Sequence, residues 1–90
     1  MSSAYYELLK GIETRLKAGI PLRDALEGLE KDGRGALAAL AGALRSRIEA
    51  GATLAQALGD LPVSTPPAHA ALIDAGESSG RLDETLADII

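Results

Sequence analysis

The 90-residue chain contains no cysteine, no tryptophan and no phenylalanine; two tyrosines are its only aromatics. Without cysteine there is no disulfide framework and no thiolate chemistry, and the redox compartment stays undetermined. Without large aromatics the core has to be built from Leu, Ile and Ala. Asparagine is absent too, so no N-glycosylation acceptor exists. β-Branched residues are few, which argues against sheet. No basic stripe is visible: nine Lys and Arg stand against thirteen Asp and Glu, for a net charge of −4. That balance speaks against nucleic acid as a partner. The longest apolar run, Gly35 to Leu44, is ten residues, and a membrane span needs about 20. Met1-Ser2-Ser3 leads into a polar helix without a basic-then-apolar pattern, so no signal peptide is expected.

What the chain does have is Ala, Leu, Glu, Arg and Lys in abundance, a helix-forming composition. One all-α domain over residues 1–90 is the expectation. A chain of this size buries only about 60–65% of its unfolded surface, so its core is marginal.

Six helices can be placed in order. The first covers Ala4 to Ala18, capped by Ser2 or Ser3, with Tyr5, Leu8, Leu9, Ile12 and Leu16 on one face. Glu13 and Lys17 read as a surface pair four apart. Gly19 stops this helix. The second begins after Ile20 with Pro21 at its first position, carries Leu22, Ala25, Leu26 and Leu29, and ends near Gly33. The third runs from Arg34 or Gly35 to Ala50, with Leu37, Leu40, Leu44 and Ile48 inward and Arg45 and Glu49 as a spaced pair. Gly51 stops it. The fourth has Thr53 as its cap and Gln56 three residues on, a capping box; its stripe is Leu54, Ala57, Leu58 and Leu61. A rigid Pro-rich loop, Pro62-Val63-Ser64-Thr65-Pro66-Pro67, follows. Thr65 is expected to cap the fifth helix, with Pro66 first and Ala68, Ala71, Leu72 and Ala75 as its stripe. Gly76 reads as its stop. The sixth carries Leu82, Leu86, Ile89 and Ile90, and the chain stops in it or at its end.

The turns repeat. Ala18-Gly19 followed by Leu22, Leu26 and Leu29 matches Ala50-Gly51 followed by Leu54, Leu58 and Leu61, offset by 32 residues. Ala75-Gly76 followed by Leu82, Leu86 and Ile89 matches again if three residues are inserted. Three helical hairpins follow, with second helices too short to stand alone. A compact six-helix bundle is favoured over an extended solenoid, which would want longer and more regular repeats.

Taken together, Ala18-Gly19-Ile20-Pro21-Leu22-x-x-Ala25-Leu26, Gly51-x-x-Leu54-x-x-Ala57-Leu58, Pro66, and Ala75-Gly76-Glu77-x-Ser79-Gly80-x-Leu82-x-x-x-Leu86 resemble the F domain of type II secretion and type IV pilus assembly platform proteins. The resemblance covers nearly the whole chain. It implies a six-helix, non-catalytic domain on the cytoplasmic face of the bacterial inner membrane. It also implies a domain that tends to form a homodimer. The implied partners are the cytoplasmic assembly ATPase and other inner-membrane assembly components, in the building of pilin or pseudopilin fibres. Membrane attachment would run through segments outside these 90 residues. Two positions depart from the family pattern. Thr65 stands where an aromatic usually precedes the proline of the fifth helix, and Tyr5 and Tyr6 stand where the first helix usually has Phe. The alternative reading is a generic helical adaptor or oligomerisation domain.

The motif residues singled out are Gly19, Gly51, Gly76, Glu77, Ser79, Gly80 and Leu82. Gly76 and Gly80 are expected to shape the last turn, Glu77 and Ser79 to cap it near the start of the sixth helix, and Leu82 to lock it to the core. No nucleophile, base and orienter are assembled, so no enzyme is expected. No cofactor is expected either. Gly28-x-x-x-x-Gly33-Arg34-Gly35 lacks the Lys and Ser/Thr of a phosphate loop. Neither register of the Asp74–Leu86 segment fits an EF-hand, though a weaker carboxylate site from Glu77, Asp83 or Glu84 stays open. His69, the one histidine, reads as a surface or partly packed residue; alone it makes no recognisable zinc site. Asp24, Glu27 and Glu30 read as a solvated face, or as an acidic docking patch.

Overall fold

Side-chain caps open two of the helices, at Ser3 and at Thr53. In the computed structural model, which describes residues 3–62 and 65–90, Ser3 Oγ accepts from the Tyr6 amide and opens α1 (Ala4–Lys17). The helices that follow are α2 (Leu22–Asp32), α3 (Gly35–Glu49), α4 (Leu54–Gly59), α5 (Pro67–Ser79) and α6 (Leu82–Ile89). The chain is all-α. Ser2, the other candidate cap, and Val63 and Ser64 of the Pro-rich loop lie outside the described residues.

Both proline-opened helices begin one residue later than their sequence suggests. Pro21 is extended (ψ 152°) and supplies the carbonyl that Ala25 bonds at 2.8 Å. Pro66 is likewise extended (ψ 137°), and Pro67 takes the first helical position. The second case has a direct steric cause: a residue followed by proline is driven out of the α region. Thr65 therefore falls too far upstream to cap α5. Its hydroxyl is buried without a hydrogen-bond partner among the described residues.

Packing decides between bundle and solenoid. Every helix packs on the next one in sequence, and α6 returns to α1, closing a ring; α1 also packs on α3. A solenoid would leave its first and last helices apart. The resulting body measures 30 × 27 × 27 Å. Its centre is aliphatic, as the missing aromatics require. Leu8, Leu9, Ile12, Leu26, Leu44, Leu54, Leu58, Ile73 and Leu86 are fully buried. Tyr5, the aromatic at the start of α1, is buried as well.

Two inward faces differ from the reading of the sequence. On α5 the buried positions are Ile73 and Gly76, while Ala68, Ala71, Leu72 and Ala75 face outward and Leu72 is 51% exposed. An alanine-rich helix has apolar residues on every side, so its phase is set by what it packs against. On α1, Glu13 is buried rather than on the surface. The ammonium groups of Lys10 and Lys17, at 3.1 and 3.4 Å, supply the counter-charge of its carboxylate.

Candidate interaction site at the α4–α5–α6 junction

The last turn is built by Gly80, not by Gly76. Gly80 lies in the left-handed region at φ +73°, as do Gly19 at +89° and Gly51 at +106°. At all three turns the glycine N–H donates to the carbonyl three residues back. The next N–H donates to the carbonyl five back: Ile20 to Arg15, Ala52 to Arg47, Arg81 to Gly76. This is the Schellman pattern, which needs a residue without a Cβ at the left-handed position. The third hairpin therefore aligns on Ser79-Gly80. Leu82 comes two residues after its glycine, where Leu22 and Leu54 come three after theirs. The supposed insertion disappears, and the third turn is one residue shorter.

Gly76 has a different task. It is buried inside α5. A Cβ there would collide with Thr85 Oγ1 and lie 2.9 Å from Thr85 Cβ. Its absence lets α6 cross closely over α5. Ser79 is the last residue of α5, and its hydroxyl donates back to the Gly76 carbonyl at 3.3 Å. It does not cap α6, which starts from Arg81 without any side-chain cap. Leu82 is half-buried and packs against the core.

Glu77 reaches the other way from the expected direction. Its carboxylate accepts from Leu54 N–H at 2.7 Å and from Ala55 N–H at 3.0 Å, at the start of α4 rather than of α6. The capping box foreseen at Thr53 and Gln56 forms as well: Thr53 Oγ1 accepts from Gln56 N–H at 3.1 Å, and Gln56 Oε1 from Thr53 N–H at 3.0 Å. A helix leaves its first four N–H groups without intrahelical partners. Here residues 53–56 all find side-chain acceptors. Glu77 carries negative charge to the positive end of the helix dipole. A six-residue helix that would be marginal alone is thus clasped to α5.

Beside this junction, Tyr5 ties α1 to α5. Its hydroxyl lies 2.9 Å from His69 Nδ1, and the rings stack with centroids 5.9 Å apart. Burial, with the neighbouring Tyr6 adding to it, pushes the Tyr5 phenol above its ordinary range. His69 is half-buried. No spacing rule could have found this pair, 64 residues apart in sequence.

The acidic row on α2 is engaged within the molecule. Asp24 and Glu27 each lie 3.2 Å from Arg23, Glu27 also lies 3.7 Å from Lys31, and Glu30 lies 2.8 Å from Arg45. Arg23 and Arg45 converge on Glu49 at 2.7 and 2.9 Å. The pairing with Arg45 holds Glu30 below the usual carboxylate range, and the pairing with Arg23 does the same for Glu49. The Glu30–Arg45 and Arg23–Glu49 pairs brace α2 against α3, whereas Asp24 and Glu27 pair within α2. A free acidic docking patch on α2 is thereby replaced by a neutralised seam. Among the described residues, no three His, Cys, Asp or Glu side chains converge as a metal site would require.

Set against models of protein families, residues 14–90 match type II secretion system (T2SS), protein F.

Proposed function

Because the chain belongs to the type II secretion system protein F family, we propose that these 90 residues form one cytoplasmic interaction domain of an inner-membrane platform protein. In this reading the domain is non-catalytic. It couples the assembly ATPase to the addition of pilin or pseudopilin subunits, and membrane attachment comes from segments outside these residues. No helix among the described residues is long and apolar enough to cross a membrane. The observation that carries the reading is the Glu77 clasp. The most family-specific stretch, Gly76 to Leu82, is spent on internal bracing. What the domain offers to partners is then its outer faces.

One such face supports self-association. Leu72 stands exposed on α5 with Ala68, Ala71 and Ala75 around it. Two copies placed antiparallel about the midpoint of Ala71 and Leu72 bring Ala68 of one opposite Ala75 of the other and each leucine opposite Ala71, so each leucine meets a floor of small side chains. Small residues permit close helix approach. Sedimentation of the chain over a range of concentrations tests this; a monomer at every concentration overturns the homodimer.

The coupling role is tested by titrating the chain with the purified assembly ATPase of the same system. A saturable complex is expected. Failure to bind with the chain shown to be folded would overturn the reading.

A further inference from the structure

The net charge of the molecule is segregated. Residues 1–60 carry eight Lys and Arg against eight Asp and Glu. Residues 61–90 carry Arg81 alone against Asp74, Glu77, Asp83, Glu84 and Asp88. The whole charge of −4 therefore resides in the last third of the chain. The ion pairs follow the same division. All those among the described residues join partners between Lys10 and Asp60. Glu77 is spent on α4. Among the described residues, that leaves the three acids of α6, Asp83, Glu84 and Asp88, without an ion pair.

These three lie on a cleft. Where the last turn of α1 meets α6, an open depression of about 350 Å³ is lined by Lys17, Asp83, Glu84, Ala87 and Asp88. A second, of about 300 Å³, is lined by Leu16, Gly80, Leu82 and Asp83. Asp83 borders both, so the two depressions adjoin at that residue and together make up an α1–α6 groove. Leu16, Leu82 and Ala87 give it apolar lining, and Asp83, Glu84 and Asp88 line it as well. Lys17, the cation among its described lining residues, also lies 3.4 Å from Glu13.

We infer that this α1–α6 groove binds a basic amphipathic segment of a partner protein. Apolar side chains of the segment rest on Leu16, Leu82 and Ala87, and its Lys or Arg groups meet Asp83, Glu84 and Asp88. Charge complementarity selects this occupant: opposite potentials steer association and fix register, whereas nucleic acids and anionic lipid surfaces are repelled. A bare cation is disfavoured, because the three carboxylates do not converge. The inference rests on the proposed interaction role and adds to it the face used and the chemistry of the partner.

The probe is a synthetic amphipathic helix with Lys at four-residue spacing and one leucine face, titrated into the 90-residue chain and followed by amide shifts. Perturbation is expected at Leu16, Lys17 and residues 80–88. Affinity should fall with added salt. Asp83→Asn/Glu84→Gln/Asp88→Asn should weaken binding by about tenfold or more. Asp32→Asn/Asp60→Asn/Asp74→Asn, with the same change in net charge, should not. Circular dichroism establishes that both variants are folded. Equal binding by the α6 triple variant, shifts confined to α2 and α3, or equal binding of a peptide whose leucines are replaced by Ser would each overturn the groove. The ATPase titration separates this inference from the reading it rests on. If the ATPase binds the wild-type chain but the peptide does not seat in the groove, the groove is wrong and the coupling role stands. If the peptide seats in the groove but the ATPase does not bind, the coupling role is wrong and the groove stands.

Discussion

Glu77 Oε2 accepts from the amide of Leu54 at 2.7 Å, across twenty-three positions of the chain. Its other oxygen accepts from Ala55. One side chain on α5 thus supplies what α4 cannot find within itself. The shortest helix is held by a side chain of α5, and the α3–α4 hairpin is joined to the α5–α6 hairpin.

Removing that carboxylate should be costly. Hydrogen bonds to a charged group contribute about 1.5–3 kcal/mol, and leaving their donors unpaired adds to the loss. Glu77→Ala is expected to destabilise by about 2–4 kcal/mol, and Glu77→Gln by less, because one acceptor remains. Chemical denaturation measures the loss. Hydrogen exchange should show Leu54 and Ala55 amides losing protection before the α1 core does. Unchanged protection there would mean the clasp does not hold α4.

Gly76 and Gly80 should fail for different reasons. Gly80→Val places a β-branched residue at φ +73°, although open space surrounds the new Cβ. The cost is backbone strain of at least about 1–2 kcal/mol. Gly76→Ala keeps a comfortable backbone and drives its methyl into Thr85, an overpacking cost of about 1–3 kcal/mol. Thr85→Ala should partly relieve Gly76→Ala and leave Gly80→Val untouched. Thermal melts of the three single and two double variants read this directly; additivity for Gly76 and Thr85 would refute their close approach.

Leu72 and Ile73 are neighbours in sequence with opposite environments. Ile73→Ala empties a fully buried position and should cost about 2–5 kcal/mol. Leu72→Glu, on the exposed face, should change monomer stability by no more than about 0.5 kcal/mol. The same change should abolish concentration-dependent association in the centrifuge. If Leu72→Glu unfolds the chain, the assigned phase of α5 is wrong.

Acid should loosen the α1 surface and the α2–α3 seam together. Glu13 is held below the usual carboxylate range first by its hydrogen bond from Lys10; Glu30 and Glu49 are lowered first by Arg45 and Arg23 respectively. A folded pKa below the unfolded one contributes stability that is present above the unfolded value, about 4.3. That contribution is lost as pH falls through the depressed folded values. Stability should therefore be flat above about pH 5 and decline below it. Glu13→Gln, Glu30→Gln and Glu49→Gln together should flatten the decline. An equally steep acid slope in that variant would show that other carboxylates set it.

Local chemistry was enough to read most of the helices. Ser3, Thr53 with Gln56, and the glycines at 19 and 51 act within four residues of themselves, and each behaves as its sequence implies. The leucine stripes of α2 and α4 are strong enough to set their own phase. The sequence by itself therefore determined an aliphatic, all-helical chain with two of its three turns in the right place. It did not determine α5. Gly76 and Gly80 both satisfy the local rule for a helix stop, and alanines surround that helix, so neither its end nor its inner face is encoded nearby. The tertiary structure decided both. Thr85 presses against Gly76, Ile73 enters the core, and Glu77 is drawn to the unpaired amides of α4. Those amides lie more than twenty residues away, and only the closed ring of helices brings them within reach of the carboxylate.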